Sequence, residues 1–335
     1  MQNFLDPAIL FFVFGIIAGL LRSDLEIPAQ IAKFLSLYLL MALGLKGGFA
    51  LAASGLSPTI AATLLAAVLM AFAVPMLGYA FLKNRVPRFD AAAVAASYGS
   101  VSAVTFVTAM QYAESHDIAV GGHMAVAMVL MESPAIIVAI VLANLLRRQT
   151  AAQPLQVSSQ GTLVAGGAGG PGMSIREVLY ESLTNGTHLL LMASLVIGFV
   201  SGDAGKAVMK PFSADLFKGM LAFFLLDMGL VVAKNLRETR GKAPVLLGYA
   251  ILSPFVHATL ALLLAIALQL PTGDTALLMV LSASASYIVV PAVLRHAVPE
   301  ANPSMYLGLP IGVTFPINLL LGIPLYMAAA TKFAG

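Results

Sequence analysis

The sequence predicts an all-α polytopic membrane protein with ten transmembrane helices in two inverted five-helix repeats, the fourth and ninth helices being broken. Three observations predict this. Hydrophobic residues make up 60% of the 335 and charged residues only 10%, with a mean hydropathy of +0.94. A soluble domain carries about 25% charged residues, so the chain belongs in lipid. Next, ten apolar stretches can be marked at about 6–21, 31–53, 58–82, 91–112, 122–146, 184–201, 213–233, 243–269, 274–298 and 304–330. Each is near the roughly 20 residues that cross a bilayer. Finally, SYGSVSAVTFVTA at 97–109 recurs in weak form as LSASASYIVVPAV at 281–293, which pairs Ser100 with Ser284 and Ser102 with Ser286 at an offset of 184. Leu43-Gly44-Leu45 matches Met228-Gly229-Leu230 at 185, and Pro134 matches Pro316 at 182.

The repeats divide the chain. Residues 1–146 form the first five-helix repeat, 147–180 a cytoplasmic Gly-rich linker, and 181–335 the second repeat. The linker, with GTLVAGGAGGPG, has no apolar periodicity. The N-terminal stretch MQNFLDPAILFF has no basic region and no small-residue cleavage site, so it is expected to be mature sequence.

Basic residues orient the spans. With the N-terminus outside, the inner loops receive twelve of them: Arg22, Lys83, Arg85, Arg88, Arg147, Arg148, Arg176, Lys234, Arg237, Arg240, Lys242 and Arg295. The outer side receives three, Lys206, Lys210 and Lys332. Both termini are therefore expected outside, in a multi-pass protein of the inner (plasma) membrane. Five spans per repeat is odd, so the second copy enters from the opposite side, as in inverted-repeat transporters.

Polar residues inside spans carry the chemistry. Ser97, Gly99, Ser100, Ser102 and Thr105 crowd the fourth span; Ser282, Ser284, Ser286 and Tyr287 crowd the ninth. Interrupted there, the helices present backbone N–H groups and positive dipole ends at mid-bilayer, which suits a small anion. The bland alternative is that small residues let helices pack closely and each serine bonds its own helix. Glu132 lies mid-span beside Pro134, and its repeat mate Thr314 precedes Pro316 by two residues. A carboxylate there can ligate Na+, carry a proton, or stay neutral against a neighbouring helix. Asp227 and Lys46 are expected to pair across the pseudo-axis in a structural or coupling role.

Several classes are excluded. The chain has no Cys and no Trp, and its net charge of +3 is spread over short loops with no nucleic-acid footprint. His116, His123, His188 and His296 lie near span ends without metal-ligand spacing, and His257 reads as an interhelical hydrogen bond. No HExxH, GxSxG or Walker motif appears, and no aspartate pair sits at midspan. No catalytic residue is expected; the chain is not read as an enzyme.

Over nearly its whole length the chain resembles the cyanobacterial-type sodium-dependent bicarbonate transporters. The resemblance rests on Ile27-Pro28 with Gly44-Leu45-Lys46-Gly47-Gly48, on Gly99-Ser100-Val101-Ser102 followed by Thr105, and on Glu132-Ser133-Pro134-Ala135. In the second half it rests on Pro254 with His257, the serine run 282–286, and Ala301-Asn302-Pro303-Ser304 with Tyr306 and Gly308. It implies bicarbonate at Gly99, Ser100, Val101, Ser102, Ser282, Ser284 and Ser286. It implies Na+ close by, with Thr105, Glu132, Tyr287 and Thr314 as the expected ligands. There is no cofactor beyond Na+ as coupling ion. A homotrimer and a cytoplasmic regulatory partner of the nitrogen-regulatory type are also implied. Three positions depart from the family pattern. Tyr287 stands where an acidic residue is usual, Glu132 where Asp is usual, and Lys46 where Thr is frequent. The first of these bears directly on Na+ coupling.

Three functions compete at this level. The leading one is Na+-driven bicarbonate import by alternating access. The second is a Na+- or proton-coupled carrier of another small anion, such as an organic acid, on the same architecture. The third is a channel or a non-transporting scaffold, which has no need of two broken helices.

Overall fold

Prolines and small polar caps open the helices. The computed structural model describes residues 6–55, 57–151, 186–238, 244–287 and 289–334, and all regular structure among them is helical. Helix α1 (Pro7–Leu20) starts at Asp6, whose carboxylate accepts the Ala8 N–H at 2.8 Å. α2 (Ala29–Ser54) ends at Gly55, where φ of 69° is the left-handed conformation that glycine adopts without steric cost. α3 (Pro58–Leu82), α4 (Arg88–Gly99), α5 (Ala103–Ser115) and α6 (Met124–Ala151) complete the first half. The second half holds α7 (Gly186–Lys210), α8 (Phe217–Glu238), α9 (Pro244–Ala267), α10 (Thr272–Ala283), α11 (Val289–Ala297) and α12 (Pro303–Phe333). α12 carries two π turns, Pro310–Thr314 and Asn318–Gly322, a feature that often marks functional sites.

Seven helical stretches among the described residues are long and apolar enough to cross a bilayer, and Pro7–Leu20 and Thr272–Ala283 are shorter apolar helices. Gly186–Leu236 runs for 51 residues. At 1.5 Å per residue that is roughly 75 Å, over twice a hydrocarbon core of about 30 Å. The stretch kinks at Gly202 (φ 53°, ψ −142°) and contains the π segment Pro211–Asp215. α6 continues through 147–151, past the expected start of the linker; the rest of the linker lies outside the described residues.

Without water, helix association relies on close backbone approach rather than apolar burial. Glycines supply it here. A Cβ on Gly15 would lie 2.3 Å from the Leu226 carbonyl, and one on Gly229 would lie 2.3 Å from that of Phe12, so α1 and α8 touch backbone to backbone. α2 meets α7 the same way: a Cβ on Gly48 would lie 2.2 Å from the Leu195 carbonyl, and one on Gly198 would lie 2.6 Å from that of Leu45. These four helices form one packed group. α3, α4 and α6 pack together with α9, α10 and α12 in a second group, with α5 against α10 and α11 against α6.

Two aspartates tie the second group. Asp90, at the start of α4, accepts the Asn302 N–H at 2.6 Å, where α12 begins. Asp274, at the start of α10, accepts the Gly121 N–H at 2.7 Å just before α6, and His123 lies 3.3 Å from its other oxygen. The α4–α5 stretch is the most enclosed: 89% of its apolar window is buried, against 39% for α3, which faces lipid with Leu65, Leu69 and Met76.

The expected pairing of Lys46 with Asp227 does not form. The Lys46 ammonium instead lies 2.8 Å from Glu114 on α5 and 4.4 Å from the centre of the Phe217 ring. Lys46 and Glu114 stand at the same end of the bundle, whereas Asp227 is half-buried on α8, which packs against α1.

Candidate functional site

The chain leaves helical geometry at two places. α4 ends at Gly99, Ser100 is extended (φ −100°, ψ 176°), and α5 restarts behind Ser102, whose hydroxyl accepts the Thr105 N–H at 3.2 Å as an N-cap. α10 ends at Ala283, Ser284 is extended (φ −79°, ψ 167°), and the Ser286 hydroxyl accepts the Val290 N–H at 3.4 Å at the start of α11.

The two breaks are bonded to each other. The Ser102 N–H donates to Ser284 Oγ at 3.0 Å, and the Ser286 N–H donates to the Ser97 carbonyl at 2.8 Å. The Ser102 hydroxyl also donates to the Tyr287 phenol at 3.4 Å. Asn318, in a π turn of α12, donates from Nδ2 to the Ala283 carbonyl at 2.7 Å and accepts from the Tyr326 hydroxyl at 3.0 Å. An interruption in lipid must satisfy its own backbone groups, and here each break supplies partners for the other.

The serines divide by role. Ser284 is fully engaged, since its hydroxyl also donates to the Leu281 carbonyl at 2.8 Å. By contrast, the hydroxyls of Ser97, Ser100 and Ser282 are buried without a hydrogen-bond partner. Unsatisfied buried hydroxyls are costly and point to a group that completes them. Ser97 and Ser282 stand on the last turns of α4 and α10 and Ser100 follows α4 as its C-cap, so all three are at the negative ends of those half-helices. Gly99 is a packing residue, because a Cβ there would lie 2.6 Å from the Pro75 ring.

Beside the crossing lies a cavity of about 70 Å³, lined by Ser36, Val101, Ser102, Ala103, Val104, Glu132, Thr187, His188, Ser286 and Tyr287 among others. That is room for a few waters, and so for one small anion. The first turn of α5 borders it, as do Ser286 and Tyr287 just before α11. A helix start leaves N–H groups without intrahelical acceptors and carries partial positive charge.

The Na+-dependent bicarbonate transporter superfamily matches residues 7–331 of the chain. The chain belongs to that superfamily. It is a membrane transporter and not an enzyme. No individual curated protein matches it.

Within this transporter the four expected Na+ ligands stand differently. Thr105 is buried in the first turn of α5. Tyr287 lines the cavity with its ring edge-on to Phe315 at 5.6 Å. Thr314 is committed elsewhere: its hydroxyl donates to the Ala250 carbonyl at 2.8 Å and lies 2.6 Å from the Tyr98 hydroxyl. The Glu132 carboxylate is held by His188 Nε2 of α7, both side chains being buried. Sequence reading placed His188 at a span end and left it without a role; its distance of 56 positions from Glu132 gives no local signal. Ser97, visible in the serine cluster, gains its interest only from its orphaned hydroxyl. Among the described residues no group of three or more His, Cys, Asp or Glu side chains could hold a metal ion.

Proposed function

We propose that this transporter imports bicarbonate by Na+ symport and alternating access, with both ligands held where α4–α5 and α10–α11 cross. One observation carries the reading: two interrupted helices are bonded to each other at a single buried crossing beside a small cavity. The anion takes the cavity bordered by the first turn of α5 and the segment just before α11, with Ser102 and Ser286 beside it. Na+ takes the C-terminal side, where the free hydroxyls of Ser97, Ser100 and Ser282 offer hard oxygen ligands. With no Arg or Lys among its lining residues, the cavity suits a small planar anion held by hydroxyl and backbone donors.

The proposed architecture is two inverted repeats of five spans, α4–α5 and α10–α11 each counting as one interrupted span. Reciprocal contacts support it. Asp90 and Asp274 stand 184 positions apart, the offset of the serine pairs, and each fixes the entry of the other repeat's last span. Gly44 of α2 packs on α7, while its mate Gly229 of α8 packs on α1.

The test is uptake of labelled bicarbonate into proteoliposomes with Na+ replaced by K+ or choline. Uptake should collapse without Na+. Undiminished uptake driven by a proton gradient would make the proton the coupling ion, and uptake of an organic acid in place of bicarbonate would favour the other carrier reading.

A further inference from the structure

The anion cavity contains a carboxylate. Glu132 of α6 lines it together with Ser102, Ser286 and Tyr287, and at first sight this is the wrong charge for a bicarbonate path. Two like charges a few ångströms apart in a partly buried site repel strongly, by about ten- to a hundredfold in affinity. The helix starts beside it provide only partial charges, and no Lys or Arg is among the lining residues. His188 resolves the conflict. Its Nε2 contacts Glu132 Oε2, both side chains are less than 10% exposed, and both line the same cavity.

We infer that His188 is the counter-charge that makes a carboxylate-bearing cavity permissive for an anion, a positioning residue that sets the cavity's net charge. His188 stands on α7 in the first helical group and Glu132 on α6 in the second, so the pair also closes the cavity wall between the two groups. A neutral side chain at 188 leaves the carboxylate uncompensated, with two consequences: repulsion of the substrate and a buried charge that weakens the fold.

The inference rests on the anion-transport reading, and a charge-cancelling double variant separates the two. His188→Gln should raise the half-saturating bicarbonate concentration about tenfold or more at saturating Na+. Adding Glu132→Gln to the same chain should return it to within about threefold of wild type, because an amide pair is neutral. Thermal stability of the purified protein should follow the same pattern, lowered in His188→Gln and recovered in the double variant, and this readout does not depend on which anion is carried. A half-saturation within twofold of wild type in His188→Gln overturns the inference, as does a double variant no better than the single one. Failure of both variants to accumulate as folded protein also overturns it, since the imidazole is then a packing group. If wild type carries no bicarbonate but stability still falls and recovers, the transport reading fails while the charge pairing stands.

Discussion

Removing the Ser284 hydroxyl isolates the bond that joins the two broken helices. Ser284 Oγ accepts the Ser102 N–H at 3.0 Å and donates to the Leu281 carbonyl at 2.8 Å. In Ser284→Ala the Leu281 carbonyl keeps a partner, the Ser284 N–H at 3.2 Å, but the buried Ser102 N–H loses its acceptor. An orphaned buried donor costs about 1–3 kcal/mol, equivalent to about 5- to 100-fold in an equilibrium constant. Ser102→Ala is milder: it removes an N-cap to the Thr105 N–H and a long contact to Tyr287, about 1 kcal/mol or roughly fivefold. Ser284→Thr keeps the hydroxyl and should stay near wild type. The assay is the concentration dependence of labelled bicarbonate uptake at matched membrane expression, with thermal stability of the purified protein measured alongside. The bond affects both, because the same segments border the cavity. Wild-type stability in Ser284→Ala, or a larger loss of stability in Ser102→Ala, would refute the tie between the breaks.

Other perturbations test the remaining parts. Ser282→Ala and Ser100→Ala should raise the Na+ concentration for half-maximal uptake several-fold with little change for bicarbonate, and Ser286→Ala should do the reverse; equal effects on both ligands argue against separate sides. Gly48→Ala puts a Cβ 2.2 Å from the Leu195 carbonyl and should cost about 1–3 kcal/mol, seen as loss of folded yield, whereas Gly219→Ala, with nothing within 4 Å, should be silent. In this cysteine-free chain, single cysteines at Asn84 and His116, both exposed, should label from opposite sides of the membrane, residue 84 only after permeabilisation; labelling of both from outside rules out the proposed orientation. Glu300, in the loop before α12, has its carboxyl held below its ordinary value of 4.5, chiefly by the hydrogen bond from Arg147. A depressed carboxylate contributes stability above its unfolded value and loses it as pH falls through the folded one. Thermal stability of wild type should therefore drop more steeply below about pH 4.5 than that of Glu300→Gln.

The helical class, the apolar character of the chain and the two interruptions were legible in the sequence, because each depends on local composition. Lipid rewards an unbroken apolar run wherever it occurs, and Ser-Gly clusters at 97–102 and 282–286 weaken a helix wherever it packs. The 184-residue offset was readable for the same reason; its reciprocal use by Asp90 and Asp274 was not, since an aspartate at a helix start looks like an ordinary cap. Only the tertiary structure decided the partners. Lys46 takes Glu114 and not Asp227, Glu132 takes His188, Thr314 is spent on Tyr98 and Ala250, and at the two breaks the hydroxyls of Ser97, Ser100 and Ser282 are buried without a partner. In water an amphipathic pattern tells which face of a helix turns inward. In a bilayer both faces are apolar, and rotation and pairing follow from backbone contacts such as Gly15 on Leu226 and Gly48 on Leu195, which no periodicity along the chain encodes.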